Sequence, residues 1–392
     1  MSTANFSQTY PEARAKFMAA AEAAGLDVQR HPHPLLGQHG EPLAMDVVRD
    51  GPADAQAVLL ISSACHGVEG FCGSGLQTTL LADPALRQAA WAQDVALLYV
   101  HALNPYGFSW WRRTTQENVD LNRNFCDFSQ ALPQNTAYDE IAHWVVPPTW
   151  PASAEVQAAI ADYQARHGAA AWQKAVTSGQ YHHPEGLFFG GHNPTWSQQT
   201  LRQVLREHGQ RCAQLGWIDL HTGLGPRGVA ERIFAGPDDA AAIGRARAWW
   251  GGPDGSAITS IYDGSSTSAP LTGLMWLAAY QECPQAEVTG IALEYGTLPL
   301  PAMLDALRAD QWADNHPEAP VAQVAAIKQG LRDAFYVDDD GWKQQVLAQG
   351  VEAAHQGVAG LAAAGRGMAD RGLALAERTA QAVDWFGTKA VG

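Results

Sequence analysis

Long apolar runs are missing from this sequence. No stretch approaches the ~18 consecutive apolar residues of a membrane-spanning helix, so no such helix is expected. The opening residues, MSTANFSQTYPEARAKF, are polar and mixed in charge and lack the apolar core of a secretion signal. A cytoplasmic location is the expectation. Cysteine is scarce and odd in number: Cys65, Cys72, Cys126, Cys212 and Cys283, with no C-x-x-C among them. That argues against a disulfide framework and a thiolate zinc site, and predicts mostly buried free thiols in a reducing compartment. Charge is thin at 17%, which excludes a solvated, disordered chain. Basic residues are outnumbered, 25 Lys+Arg against 40 Asp+Glu, for a net charge of −15. Nonspecific binding to nucleic acid or to an anionic membrane surface is disfavoured, although a local cationic pocket remains open. No G-x-S-x-G is present, and Gly73-Ser74-Gly75 lacks the flanks of a nucleophile elbow. A serine hydrolase is therefore a poor fit.

What is present is ample core material. Hydrophobic residues make up 46% of 392 residues, and 14 are Trp. The length exceeds the roughly 250–300 residues at which one core stops growing. The division it suggests is an α/β catalytic domain over residues 1–335 and an Ala/Gly-rich helical extension over 336–392. The extension could pack on the body or on another subunit, so a homo-oligomer is one option. Its glycines argue against one continuous helix.

Hydrophobic pattern places strands near 43–49, at 57–63 and 95–101 as continuous apolar runs, and at 215–220 and 289–295. Helices are expected over 12–25, 74–82, parts of 139–173, 197–209, 302–314 and 319–334. HGVEGFCGSG reads as a Gly-rich loop, and 178–197, which holds several His and aromatic residues, as a long functional loop. Strand, loop, helix and strand in that order make a βαβ unit, so the fold class is α/β, a mixed, partly parallel central sheet with helices on both faces.

Three strand ends deliver ionisable residues into loops: His66 and Glu69, then His221, then Glu294. In open α/β sheets ligands sit outside the carboxyl ends of strands, so these groups can converge. Two imidazoles and one carboxylate suit a catalytic zinc ion with one position left for water. Glu231, ten residues past His221, is read as a solvated carboxylate rather than a site residue.

The segment between them, LNPYGFSWWRRTTQENVDLNRNF over 103–125, completes an ordered series. His66-Gly-Val-Glu69, Asn104-Pro105 with an aromatic and Gly, Asp120-Leu-Asn-Arg-Asn-Phe125, His221 and Glu294 follow one another as in the zinc carboxypeptidase superfamily, which also holds succinylglutamate desuccinylase and aspartoacylase. Over about residues 40–335 the chain resembles that superfamily, in a bacterial branch without assigned function. The resemblance implies a zinc carboxypeptidase-like fold and one Zn²⁺ held by His66, Glu69 and His221. It implies Glu294 as general base and Arg113 or Arg112 as the cation beside the oxyanion, with Arg113 preferred and the other Arg paired with an acid such as Glu117 or with substrate. Asn122 and Arg123 would bind a substrate carboxylate, Tyr262 would cap the substrate, and His183 would lie in the pocket wall or lid. The implied reaction is cleavage of an amide or peptide bond next to a free carboxylate in a small peptide. The alternatives are N-acyl amino acid deacylation and a noncatalytic metal-binding module. The short interval from Arg113 to Asn122 departs from digestive carboxypeptidases and sits closer to the desuccinylase-like arrangement.

Overall fold

A computed structural model describes residues 2–387 apart from 254 and 256, with side chains described as far as residue 366. The strands are β1 (Val28–Leu36), β2 (Pro42–Asp50), β3 (Ala57–Ser63), β4 (Val95–His101), β5 (Gln214–Gly223), β6 (Ala230–Phe234), β7 (Ile258–Thr259) and β8 (Glu287–Gly296). The helices are α1 (Tyr10–Ala23), α2 (Gly70–Leu81), α3 (Pro84–Trp91), α4 (Pro105–Ser109), α5 (Thr136–Val145), α6 (Ala154–His167), α7 (Ala169–Thr177), α8 (Trp196–Gly209), α9 (Ala240–Trp250), α10 (Leu277–Glu282), α11 (Leu300–Asn315), α12 (Val321–Phe335) and α13 (Asp340–Gly387). Among the described residues the strands form one sheet in the order β1-β2-β4-β3-β5-β8-β6-β7. β4, β3, β5 and β8 run parallel, and β2 and β6 flank them antiparallel. This is the mixed, partly parallel sheet with helices that the apolar runs predict. No described helix is long and apolar enough to cross a membrane.

Alternation along the central strands fills a core on each face. Leu59 and Ile61 of β3 join α1, α2 and α13 on one side, and Val58 and Leu60 join α8 and α10 on the other. A third cluster unites α5–α7 with α11 and α12 beside the strand ends. The central strands are buried on both faces, which is why they read as unbroken apolar runs.

Several elements depart from sequence pattern. β1 carries Pro32 and Pro34 and is mostly exposed, as suits an edge strand, where a missing N–H costs no ladder bond. The short β6 and the helices α3 and α9 are not among the elements expected from sequence. The segment HGVEGFCGSG is a helical turn running directly into α2, not a loop. Its glycines bring α2 against the sheet: a Cβ on Gly73 would lie 2.6 Å from Ser63 Cβ.

The tail is one continuous helix, α13. Trp342, Val346, Leu347, Ala353, Ala354, Val358 and Leu361 are buried in the core cluster that includes Leu59 and Ile61 of β3 and Ile218 and Leu220 of β5. Gly350, Gly357 and Gly360 are points of close approach. A Cβ on Gly360 would meet the Trp249 ring at 2.4 Å, and one on Gly350 would meet Leu76 at 2.2 Å. Packing therefore outweighs the helix penalty of roughly 1 kcal/mol per glycine.

His101, at the end of β4, is buried against Phe17 with ring centroids 4.4 Å apart. Its Nε2 meets Ser74 Oγ at 2.8 Å, while Nδ1 has no partner. Burial pushes its pKa down to about 4 from an ordinary 6.5. The imidazole is neutral when folded and protonates near pH 6.5 when unfolded. Stability is thus fully present above pH 6.5 and is lost as pH falls towards 4, by up to roughly 3 kcal/mol. Urea unfolding at pH 7 and at pH 4.5 measures this, and His101→Gln should flatten that part of the profile.

Candidate metal centre and active site

The chain order of the sheet reverses between β3 and β5, so a crevice opens beyond their carboxyl ends. His66 and Glu69 leave β3, His221 lies near the end of β5, and Glu294 lies near the end of β8 as the register partner of His221. The ligand atoms of His66, Glu69 and His221 lie within 4.8 Å of one another, and all three residues are buried.

Local backbone holds the turn 66–69 in place. Ala64 and Ala102 take left-handed φ values of 57° and 61° where β3 and β4 leave the sheet, a conformation that non-glycine residues adopt rarely. Gly67 and Val68 donate backbone N–H to the carbonyls of Arg113 and Arg112. A Cβ on Gly67 would stand 2.0 Å from the Gly107 carbonyl carbon, so the H-x-x-E turn and the N-P-x-G turn require glycine to pack together. Asn104 caps α4 by accepting from Gly107 N–H.

The electrostatics favour a cation. His66 Nδ1 is buried without a hydrogen bond, and it lies 2.9 Å from Glu69 Oε1. His221 Nδ1 lies 3.2 Å from Glu69 Oε2. Each imidazole turns its other nitrogen to a carboxylate: His66 Nε2 to Asp120 Oδ1 at 3.1 Å and His221 Nε2 to Asp219 Oδ2 at 2.5 Å. Were both rings to donate Nε2–H to their carboxylates, both Nδ1 lone pairs would face Glu69, the tautomer a metal ligand needs. Burial alone would raise Glu69, but His66 and His221 outweigh it and hold the carboxylate ionised. Burial alone would lower His221, but Asp219 and Glu69 raise it far above the usual range. The carboxylates that stabilise an imidazolium here would stabilise a divalent cation by the same attraction. The orphaned Nδ1 and the donor set of two imidazoles and a carboxylate thus fit the expected zinc ion.

Behind His221, Asp219 Oδ1 accepts from Ser62 Oγ at 2.6 Å, and Ser62 accepts from Trp217 Nε1 at 2.7 Å. Asp219→Asn should weaken zinc binding by about 10- to 100-fold with the fold intact, as titration against a competing chelator would show. Cys65, Asp219 and His221 also cluster. The Asp219 and Nε2 side of that group is already committed to a hydrogen bond, and burial keeps the Cys65 thiol protonated.

Glu294 is half-buried and accepts from Leu224 N–H at 3.0 Å. Burial, then the neighbouring Glu69 charge, push its pKa up to about 7. Arg113 donates from Nε to Asp120 Oδ2 at 2.9 Å and from Nη1 to Glu69 Oε1 at 3.2 Å, with Nη2 2.8 Å from His66 Nε2. Arg112 turns away to Asp314, 2.7 Å distant on α11, rather than to Glu117. Asn122 Oδ1 accepts from Met275 N–H. Arg123 donates to the carbonyls of Thr177 and Asn122 through three of its five N–H groups. Phe188, itself left-handed at φ 54°, lies beneath both guanidinium groups, with centroids 5.0 Å from Arg113 and 5.5 Å from Arg123.

One cavity of about 710 Å³, counting its open mouth, brings together His66, Glu69, His221, Glu294, Arg113, Asn122 and Arg123. Its remaining wall is largely apolar, with Ile233, Ile261, Leu271, Trp276 and Met303 among the residues lining it. Three expected site residues lie outside it. Arg112 is held on Asp314. Tyr262 is 40% exposed and donates its hydroxyl to the Gly236 carbonyl. His183 pairs with Asp139 at 2.9 Å, on a separate groove with His143 and Asn315. Sequence pattern assigns no role to Asp120 or Asp219, although Asp120 opens one of the ordered motifs. The signal was a carboxylate two residues before each D-L pair's polar successor, Asn122 and His221.

The model of the family described as "Protein of unknown function (DUF2817)" matches residues 6–349. No curated protein matches the chain. Among solved structures, carboxypeptidase A from Helicoverpa armigera is similar at 13% identity and TM-score 0.44, over 91% of this chain and 75% of that one. A metallo-carboxypeptidase from Burkholderia cenocepacia is similar at 14% identity and TM-score 0.38, over 83% and 67%. Likeness this distant leaves the chemistry to be read from the residues.

Proposed function

The chain belongs to the DUF2817 family of proteins of unknown function, and from its site we propose a zinc-dependent, carboxypeptidase-like hydrolase that cleaves an amide or peptide bond beside a free carboxylate. The observation that carries this is the meeting of His66, Glu69 and His221 within 4.8 Å, with Glu294 in register beside His221. Zinc bound there would supply Lewis acidity, polarising the scissile carbonyl and lowering the pKa of water. Glu294, oriented by Leu224 N–H, takes a proton from the attacking water on its carboxylate and returns it to the leaving nitrogen. Arg113 brings a fixed positive charge to the developing oxyanion. Asn122 Nδ2 and the two N–H groups of Arg123 not given to carbonyls bind the substrate carboxylate. Cationic groups recognise an anion inside an acidic chain, and the apolar wall receives an uncharged side chain.

Elemental analysis should find about one zinc per chain. Turnover of a C-terminal peptide library set against a panel of N-acyl amino acids then tests the reaction. Cleavage of peptides only from the C-terminus is the expected result. Activity on the acyl panel alone would replace the peptidase by a deacylase, and zinc binding without turnover of either would leave a noncatalytic module.

A further inference from the structure

The wall of the cavity between β6 and α7 is not made by the sheet. It is a strap, Ser268-Ala269-Pro270-Leu271, of which Ser268, Ala269 and Leu271 line the cavity. The strap is anchored at both ends. At Thr272, the backbone N–H and the hydroxyl both donate to the Ser178 carbonyl. At Thr267, the carbonyl accepts from Gln173 Nε2 at 2.8 Å, and the backbone N–H donates to Glu231 Oε1 at 3.1 Å. The Thr267 hydroxyl donates to Glu231 Oε2, and Thr259 Oγ1 donates to Glu231 Oε1 at 2.6 Å. Between these anchors the bonds of Ser268 are local, to Ser266 and Ala269.

The placement of Glu231 needs a reason. It is paired directly across the antiparallel β6–β8 ladder from Glu294. Two carboxylates facing each other there repel, and no cation pairs with Glu231 among the described residues. What holds it is three donors, two hydroxyls and one amide, and two of the three belong to Thr267. A carboxylate offers only acceptors and can take several donors at once, so it ties the strap to the same strand pair that carries the proposed base.

We propose that Glu231 is a positioning residue, a latch whose carboxylate holds the 268–271 strap closed along the substrate cavity. Its effect on turnover rests on the hydrolase reading above; the latch itself is a statement about the loop. Opening the strap removes a cavity wall while leaving His66, Glu69, His221, Glu294 and Arg113 in place, so it should weaken substrate binding more than the chemical step.

The test compares Glu231→Ala, Glu231→Gln and Thr267→Val in the full chain with zinc bound. Deuterium uptake by 263–272 should rise at least about tenfold in rate in Glu231→Ala and less in the other two, since Gln keeps an acceptor and Val keeps the amide. Zinc content should match the parent. KM should rise about tenfold or more in Glu231→Ala, with kcat within about threefold and substantial rescue in Glu231→Gln. Unchanged uptake in Glu231→Ala would overturn the latch. So would equal losses in the Ala and Gln variants with a shifted acid limb, because that pattern means the charge acts on Glu294 and not on the strap. If the parent turns over no substrate, the hydrolase reading falls and the uptake measurement still decides the latch.

Discussion

Glu294→Gln is expected to keep full zinc occupancy and lose about 10²- to 10⁴-fold in kcat/KM on the best substrate of the parent. Gln has the same shape, and its carbonyl oxygen can accept from Leu224 N–H as Glu294 Oε1 does. The side chain therefore stays in register with His221. What disappears is the capacity to accept a proton. Stability should move the opposite way. In the metal-free protein, burial and Glu69 raise the Glu294 pKa to about 7. Stability consequently falls as pH rises from the ordinary carboxyl pKa near 4.5 through about 7, where the folded state must ionise. The Gln variant escapes that cost, so metal-free Glu294→Gln should melt at or above the parent at pH 8. Retained activity with retained zinc would remove Glu294 from the role of base.

The second large effect separates two adjacent arginines. Arg113→Ala should lower kcat by about 10²- to 10³-fold through loss of charge at the oxyanion. It should also destabilise the metal-free protein by about 3–5 kcal/mol, because Glu69 and Asp120 lose a partner in a buried site. Arg113→Lys restores a charge but not the fork that serves Asp120 and Glu69 together, so its recovery should be partial. Arg112→Ala removes instead a bond to Asp314, which sits with Asp310 and the half-buried Lys328 between α11 and α12. Its effect should fall mainly on melting temperature, with kcat near the parent. Equal kinetic losses from both variants would mean that the pair acts as a unit. Parallel steady-state kinetics and thermal melts decide it.

The parts of the site legible in the sequence are those where one residue both shapes the backbone and is proposed to do the chemistry. His66, Glu69, His221 and Glu294 stand at ends of strands whose burial on two faces makes them unbroken apolar runs, so element and position could be read together. Asn104 and Gly107 were legible as a turn, and their partners Gly67 and Arg113 were not, because the contact spans two strand ends. Tyr262 and His183 show the opposite case. Each is an aromatic or imidazole group in a loop of suitable composition, and composition carries no direction. Tyr262 is drawn to the Gly236 carbonyl and His183 to Asp139, and neither lines the cavity. Glu231 read as a solvated carboxylate for the same reason. Its partners Thr259 and Thr267 come from an edge strand of two residues and the loop after it, where no periodicity exists. In α13, glycine suggested a weak helix because propensity scales describe a helix alone in water, whereas Gly350, Gly357 and Gly360 lie against Leu76, Leu59 and Trp249.

That docking has a consequence for the order of synthesis. α13 leaves the ribosome after every strand of the sheet, yet Trp342, Val346, Val358 and Leu361 cover the face of the two strands that deliver His66 and His221. A nascent chain halted near residue 335 would hold all four proposed chemical residues with that face still bare, a sticky surface of the kind that chaperones engage. Competence should therefore arrive late and abruptly in translation, when the segment around 340–362 becomes free to dock.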